Sequence, residues 1–108
     1  MTTPTDDNRE LITLFAVMRA KEGKEDELRE VLVTMTEASR DDEGYVNYDL
    51  HQGTDDPRTF TFYENWADAG TQARHGASPH VQAFVDRQAD LLEGGTDGVT
   101  LIAVRRIA

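Results

Sequence analysis

Four side chains in one stretch have the chemistry to move protons or hold an aromatic molecule: Glu64, Trp66, His75 and His80. They fall between Phe60 and Phe84, a segment that also contains the only Trp, three of the four Phe and two of the three His residues. A carboxylate on the apolar face of a strand loses hydration, which raises its pKa and suits it to proton transfer. The alternative for Glu64 is a structural acid, hydrogen-bonded to Tyr48 or to a backbone amide at the next helix start. Trp66 shares the strand face of Glu64, where it either walls a pocket and stacks on a flat substrate or simply fills the core. His75 and His80 flank the break Gly76-Ala77-Ser78-Pro79. An imidazole at such a break points into a cleft as a base or donor, or else serves as a capping, packing or surface residue. The break denies the two rings a helical i, i+4 spacing and no HExxH pattern occurs, so no metal site is expected. His51 falls on the opposite strand face, as a surface or interface residue.

The elements that position these residues follow from periodicity. Leu11 to Met18 is a near-continuous apolar run of strand length, which predicts a strand buried on both faces. Lys24 to Arg40 predicts a helix: Leu28, Val31, Leu32 and Met35 form one stripe, and Glu25, Asp26 and Glu27 suit its N-terminal dipole. Asp41-Asp42-Glu43-Gly44 ends it. Tyr45 to Gln52 alternates, with Val46, Tyr48 and Leu50 on one face and Asn47, Asp49 and His51 on the other. Gly53 to Arg58 has hairpin-loop composition, and Thr59 to Trp66 returns as a strand bearing Phe60, Phe62, Glu64 and Trp66 on one face. If the hairpin pairs Leu50 near Phe62, Tyr48 lies opposite Glu64 and the apolar faces of both strands coincide. Asp68 caps a short helix to Arg74 or His75, and Ser78-Pro79 opens another carrying Val81, Phe84, Val85, Gln88, Leu91 and Leu92 along one side. Val99 to Ile107 is a last strand. The order β-α-β-β-α-β is the ferredoxin-like split arrangement, an α+β fold with a four-stranded antiparallel sheet and helices on one face.

Length and composition bound the rest. The 108 residues predict a single domain over 11–108, preceded by a flexible polar arm over residues 1–10. Such a chain has a small core, which favours a homodimer formed through the uncovered sheet face. The formal net charge of -10 repels phosphate backbones, so neither nucleic acid nor an anionic membrane is an expected partner. With no cysteine, disulfides and thiolate chemistry are excluded. No apolar run approaches a membrane span and no signal-peptide pattern opens the chain, so a cytoplasmic location is expected. Hydrolase elbows, phosphate loops and dinucleotide fingerprints are missing as well.

Gly44-Tyr45-Val46-Asn47-Tyr48-Asp49-Leu50-His51, the Asp56-Pro57 hairpin, Phe60-Thr61-Phe62-Tyr63-Glu64-Asn65-Trp66 and His75-Gly76-Ala77-Ser78-Pro79-His80 together resemble the antibiotic biosynthesis monooxygenase family. Lys21-Glu22-Gly23-Lys24 is similar to that family's turn before the first helix, with Glu22 where proline is common. The resemblance implies a dimeric α+β barrel and a pocket between sheet and helices. It also implies oxygenation of a quinol-like or polyketide-derived aromatic by O₂, without metal, flavin or haem. Carried over to this chain, Trp66 walls the pocket, Glu64 and Tyr48 lie at its base, and His75 or His80 handles protons. Phe62, Phe84 and Asn47 complete the implied substrate contacts, although strand alternation turns Asn47 toward the uncovered face. Haem-degrading relatives of the fold need an Asn on the first strand, which is absent here. Isomerases of small phosphorylated signal molecules need cations near the pocket, for which Arg74 and Arg87 are the candidates. A non-catalytic dimeric binding or stress-response module is the other reading.

Overall fold

The computed structural model describes residues 11–108, so the arm expected over residues 1–10 lies outside the described residues. In chain order the elements are β1 (Ile12–Arg19), α1 (Glu25–Ser39), β2 (Tyr45–Gln52), β3 (Thr59–Trp66), α2 (Ala69–Gly76), α3 (Pro79–Val85), α4 (Gln88–Leu91) and β4 (Thr100–Val104). The four strands form one antiparallel sheet in the order β2-β3-β1-β4, with the helices on one face, which is the ferredoxin-like architecture.

The hairpin register is the one that matching apolar faces demands: Leu50 lies opposite Phe62 and Tyr48 opposite Glu64. Leu14, Ala16 and Met18 of β1 join Phe60, Phe62 and Trp66 of β3 under the helices. Leu28, Leu32 and Met35 of α1 close the core from above. The stripe read from the sequence is thus the buried face of α1, apart from the half-buried Val31.

Four expectations are corrected. The first strand is covered on one side only: Phe15 and Val17 point away from the helices and are 39% and 36% exposed. Helices pack on a single sheet face, and on the other face only the hydrogen-bonded Thr13 and Asn65 are buried among the described residues. A β-bulge between Tyr45 and Asn47 throws Val46 outward, and Tyr45 takes the inner place opposite Trp66. The expected long helix after Ser78 is two pieces, because the Arg87 amide reaches back only three residues to the Phe84 carbonyl. Phe84, Gln88, Leu91 and Leu92 still face inward, whereas Val85 is exposed. The last strand ends at Val104, where its pairing with Thr13 of β1 ends, and Ile107 is exposed.

The starts of α2 and α3 are fixed by side-chain caps. Asp68 Oδ1 accepts from the Thr71 amide while the Thr71 hydroxyl reaches back to the Asp68 amide, a reciprocal capping box that sets the start of α2. Ser78 Oγ caps α3 ahead of Pro79. Gly44, at φ +80°, lies so close to Thr71 that any Cβ there would collide with its side chain. The loop after α1 is therefore pressed against the first turn of α2, and that contact brings residues 41–44 to the helix carrying His75.

Candidate active site

A cavity of about 260 Å³ lies between the sheet and the helices. That is just below the range of roughly 300–1,000 Å³ for drug-sized ligands, so it suits a small molecule. Tyr48, Phe62 and Glu64 line it from the sheet, and His75 and Phe84 from the helices. Its rim includes the exposed Val85 and Leu101, which places the mouth between α3 and the edge strand β4.

Glu64 is 4% exposed and accepts a hydrogen bond from Trp66 Nε1 at 2.8 Å. Burial pushes its carboxyl above the ordinary glutamate range, and the indole N–H only partly offsets this. Tyr48 packs on Phe62 with ring centroids 4.7 Å apart, and its hydroxyl is pushed up by burial first and the nearby Glu64 charge second. It therefore stays a neutral hydrogen-bond donor. Ser39 Oγ, the one buried side-chain polar atom without a partner among the described residues, neighbours that hydroxyl without a well-formed bond.

The imidazoles are organised by a residue that sequence reading passed over. Asp42 Oδ2 lies 2.9 Å from His75 Nδ1 and 2.8 Å from His80 Nε2. A carboxylate only accepts, so the facing nitrogens carry the hydrogens. His75 Nε2 is then left with its lone pair. Neither that nitrogen nor the second Glu64 oxygen has a partner among the described residues, and neither is sealed in the packed interior. Burial first, with the nearby His80 adding to it, lowers the His75 pKa against the raising effect of Asp42, which favours the neutral ring at neutral pH. The result is a base oriented by an acid, set beside an apolar cavity.

The expected residues thus separate into groups. Glu64, His75, Tyr48, Phe62 and Phe84 border the cavity. Trp66 does not: it is wholly buried, stacked on His75 with centroids 4.3 Å apart, and so supports the site from behind. His80 sits beyond His75, about a fifth exposed, joined to it through Asp42. Asn47 lies on the far sheet face, bonded to Asn65, Asp49 and the Tyr63 carbonyl, because bulge and alternation both turn it there. His51 shares that face and is exposed. The ligand atoms of Asp42, His75 and His80 all lie within 4.8 Å of one another, although the two rings lack a helical i, i+4 spacing. Among the described residues no Lys or Arg borders the cavity; Arg74 pairs with Glu43, and Arg87 with Glu27 and Asp90.

Comparison with known proteins finds relatives in sequence and in fold. The family model described as antibiotic biosynthesis monooxygenase matches residues 11–87. The Bacillus subtilis protein YcnE is 30% identical over 89 residues, spanning 82% of this chain and 94% of its own. The structure of PA3566 from Pseudomonas aeruginosa superposes with a TM-score of 0.85 at 29% identity, over 94% of this chain and 98% of that one. SO0527 from Shewanella oneidensis gives 0.82 at 26% identity, over 92% and 93%.

The burial of Glu64 carries a pH signature. A carboxyl raised in the folded state binds its proton more tightly there than in the unfolded chain. Stability from this group is therefore complete below the ordinary glutamate pKa and is lost as pH rises through the higher folded value. Glu64→Gln keeps an oxygen for Trp66 but cannot ionise. In urea unfolding from pH 4 to pH 8 the variant should gain stability relative to the parent as pH rises; a difference that stays flat would contradict the buried-acid reading.

Proposed function

The chain belongs to the antibiotic biosynthesis monooxygenase family, and from that premise we propose that it oxidises a small quinol-like or polyketide-derived aromatic with O₂, without a cofactor. The observation that carries this reading is His75, held through Nδ1 by Asp42 while its ring borders an apolar cavity. His75 Nε2 takes the phenolic proton. The phenolate, packed among Phe62, Phe84 and Tyr48, is electron-rich enough to pass an electron to O₂, and the two radicals combine at a ring carbon. His75 returns its proton to the resulting peroxide anion, and the hydroperoxide then loses its outer oxygen as water together with the hydrogen of that ring carbon, so that the C–H and O–O bonds break and a new carbonyl is left. One oxygen atom enters the product and the other leaves as water, all electrons coming from the substrate. The Tyr48 hydroxyl, kept neutral, donates to the developing oxyanion, and the apolar walls exclude water from the intermediate.

The isomerase reading loses its support because both candidate arginines are paired on the surface, away from the cavity. A non-catalytic binding module remains the alternative that activity must decide. The direct test is oxygen uptake with a panel of hydroquinones, with and without chelator. Turnover should persist with chelator and fall by about 100-fold or more in His75→Ala, the lower end of what a general base contributes. No uptake across the panel would leave the chain a binding module, and a metal requirement would overturn the cofactor-free mechanism.

The working unit we propose is a homodimer joined through the outer sheet face. Phe15 and Tyr63 stack there, beside the exposed Val17, Ile102 and Val104. An apolar surface of this kind on a small domain is a natural contact. Sedimentation at micromolar concentration should give about twice the chain mass of 12.1 kDa; a 12.1 kDa species would refute the dimer.

A further inference from the structure

We infer that Asp42, His75 and His80 form a binding site for a divalent transition-metal ion such as Zn²⁺, and that its occupancy switches the proposed base off. The ligands come from three separate elements: the loop after α1, the last turn of α2 and the first turn of α3. Their convergence therefore does not depend on a His spacing within one helix. Two imidazole nitrogens and one carboxylate oxygen are a donor set that zinc accepts, with the remaining position left to water.

The geometry needs only a small adjustment. Ligand bonds of about 2.0–2.2 Å in a tetrahedral site place neighbouring donor atoms about 3.3 Å apart. The two contacts through Asp42 are 2.9 and 2.8 Å, and all three donor atoms lie within 4.8 Å. Opening the shorter contacts by about half an ångström, within reach of a carboxylate rotation, admits the ion. Access is available because the Asp42 and His80 side chains are 20% and 21% exposed, while His75 is anchored against Trp66.

Binding has a chemical consequence for the proposed reaction, on which this second part rests. A neutral imidazole carries one ring proton, and with Asp42 as acceptor that proton is on Nδ1. A metal ion takes the Nδ1 lone pair, so the proton must move to Nε2. The nitrogen at the cavity then becomes a donor and can no longer accept the phenolic proton. The ion therefore acts as an inhibitor of a reaction that does not use it.

Calorimetric titration of the metal-free protein with ZnCl₂ tests the site without any need for turnover. One ion should bind per chain, with affinity reduced at least tenfold in His80→Ala and in Asp42→Asn, and unchanged in His51→Ala on the far sheet face. Circular dichroism of each variant establishes that it is folded. Binding that is absent, or that both site variants leave intact, would overturn the site. In the oxygen-uptake assay, stoichiometric Zn²⁺ should abolish turnover and chelator should restore it; Zn²⁺ bound at the site with turnover unchanged would overturn the switch. A protein with no oxygen uptake at all would sink the proposed reaction while the titration still judged the ion site.

Discussion

Trp66 is the side chain on which the rest of the site depends. It is wholly buried at the end of β3, its N–H held by Glu64 and its ring face occupied by His75. One rigid ring thus fixes a carboxyl on the sheet and an imidazole on a helix, two groups that share no hydrogen bond with each other. A buried carboxylate without a donor is costly, so the indole is a condition for keeping Glu64 in the core at all. The same ring offers His75 an apolar surface that excludes water. That exclusion is what lowers the imidazole pKa despite the neighbouring Asp42.

From this arrangement comes a division of labour between the two sides of the sheet. The helix side holds the small cavity, with its walls of Phe62 and Phe84 and its polar groups gathered at Tyr48, Glu64 and His75. The far side is built differently, with a hydrogen-bonded series from Thr13 through Asn65 to Asn47 beside stacked Phe15 and Tyr63. Hydroxyl, amides and aromatic rings on a pleated surface serve cross-strand pairing and contact. They offer nothing for proton transfer to a molecule on the other side.

Much of this was legible in the residue order, and the reasons are local. The face pairing of β2 on β3 could be read because a one-residue slip would turn Leu50 and Tyr48 away from the face of Phe62 and Glu64. The starts of α2 and α3 announced themselves through Asp68 and Ser78-Pro79. Asp42 was hidden because a run of three acids before a glycine is fully accounted for as a helix terminator. Only the press of Gly44 on Thr71 shows which acid meets the histidines. For Trp66 the sequence leaves pocket wall and core packing both open, because face sharing with Glu64 says nothing of depth; once α2 lays His75 over the ring, no surface of it is left. Val46 escaped the alternation because a single bulge shifts one residue without altering the pattern on either side.

The central claim is that Asp42 fixes the ring proton of His75 on Nδ1 and leaves Nε2 as a lone-pair base at the cavity. Long-range ¹H–¹⁵N correlation spectra of uniformly labelled protein at neutral pH report this tautomer directly. A protonated Nδ1 and a pyridine-like Nε2 are expected for His75. A protonated Nε2 in the metal-free protein would contradict it.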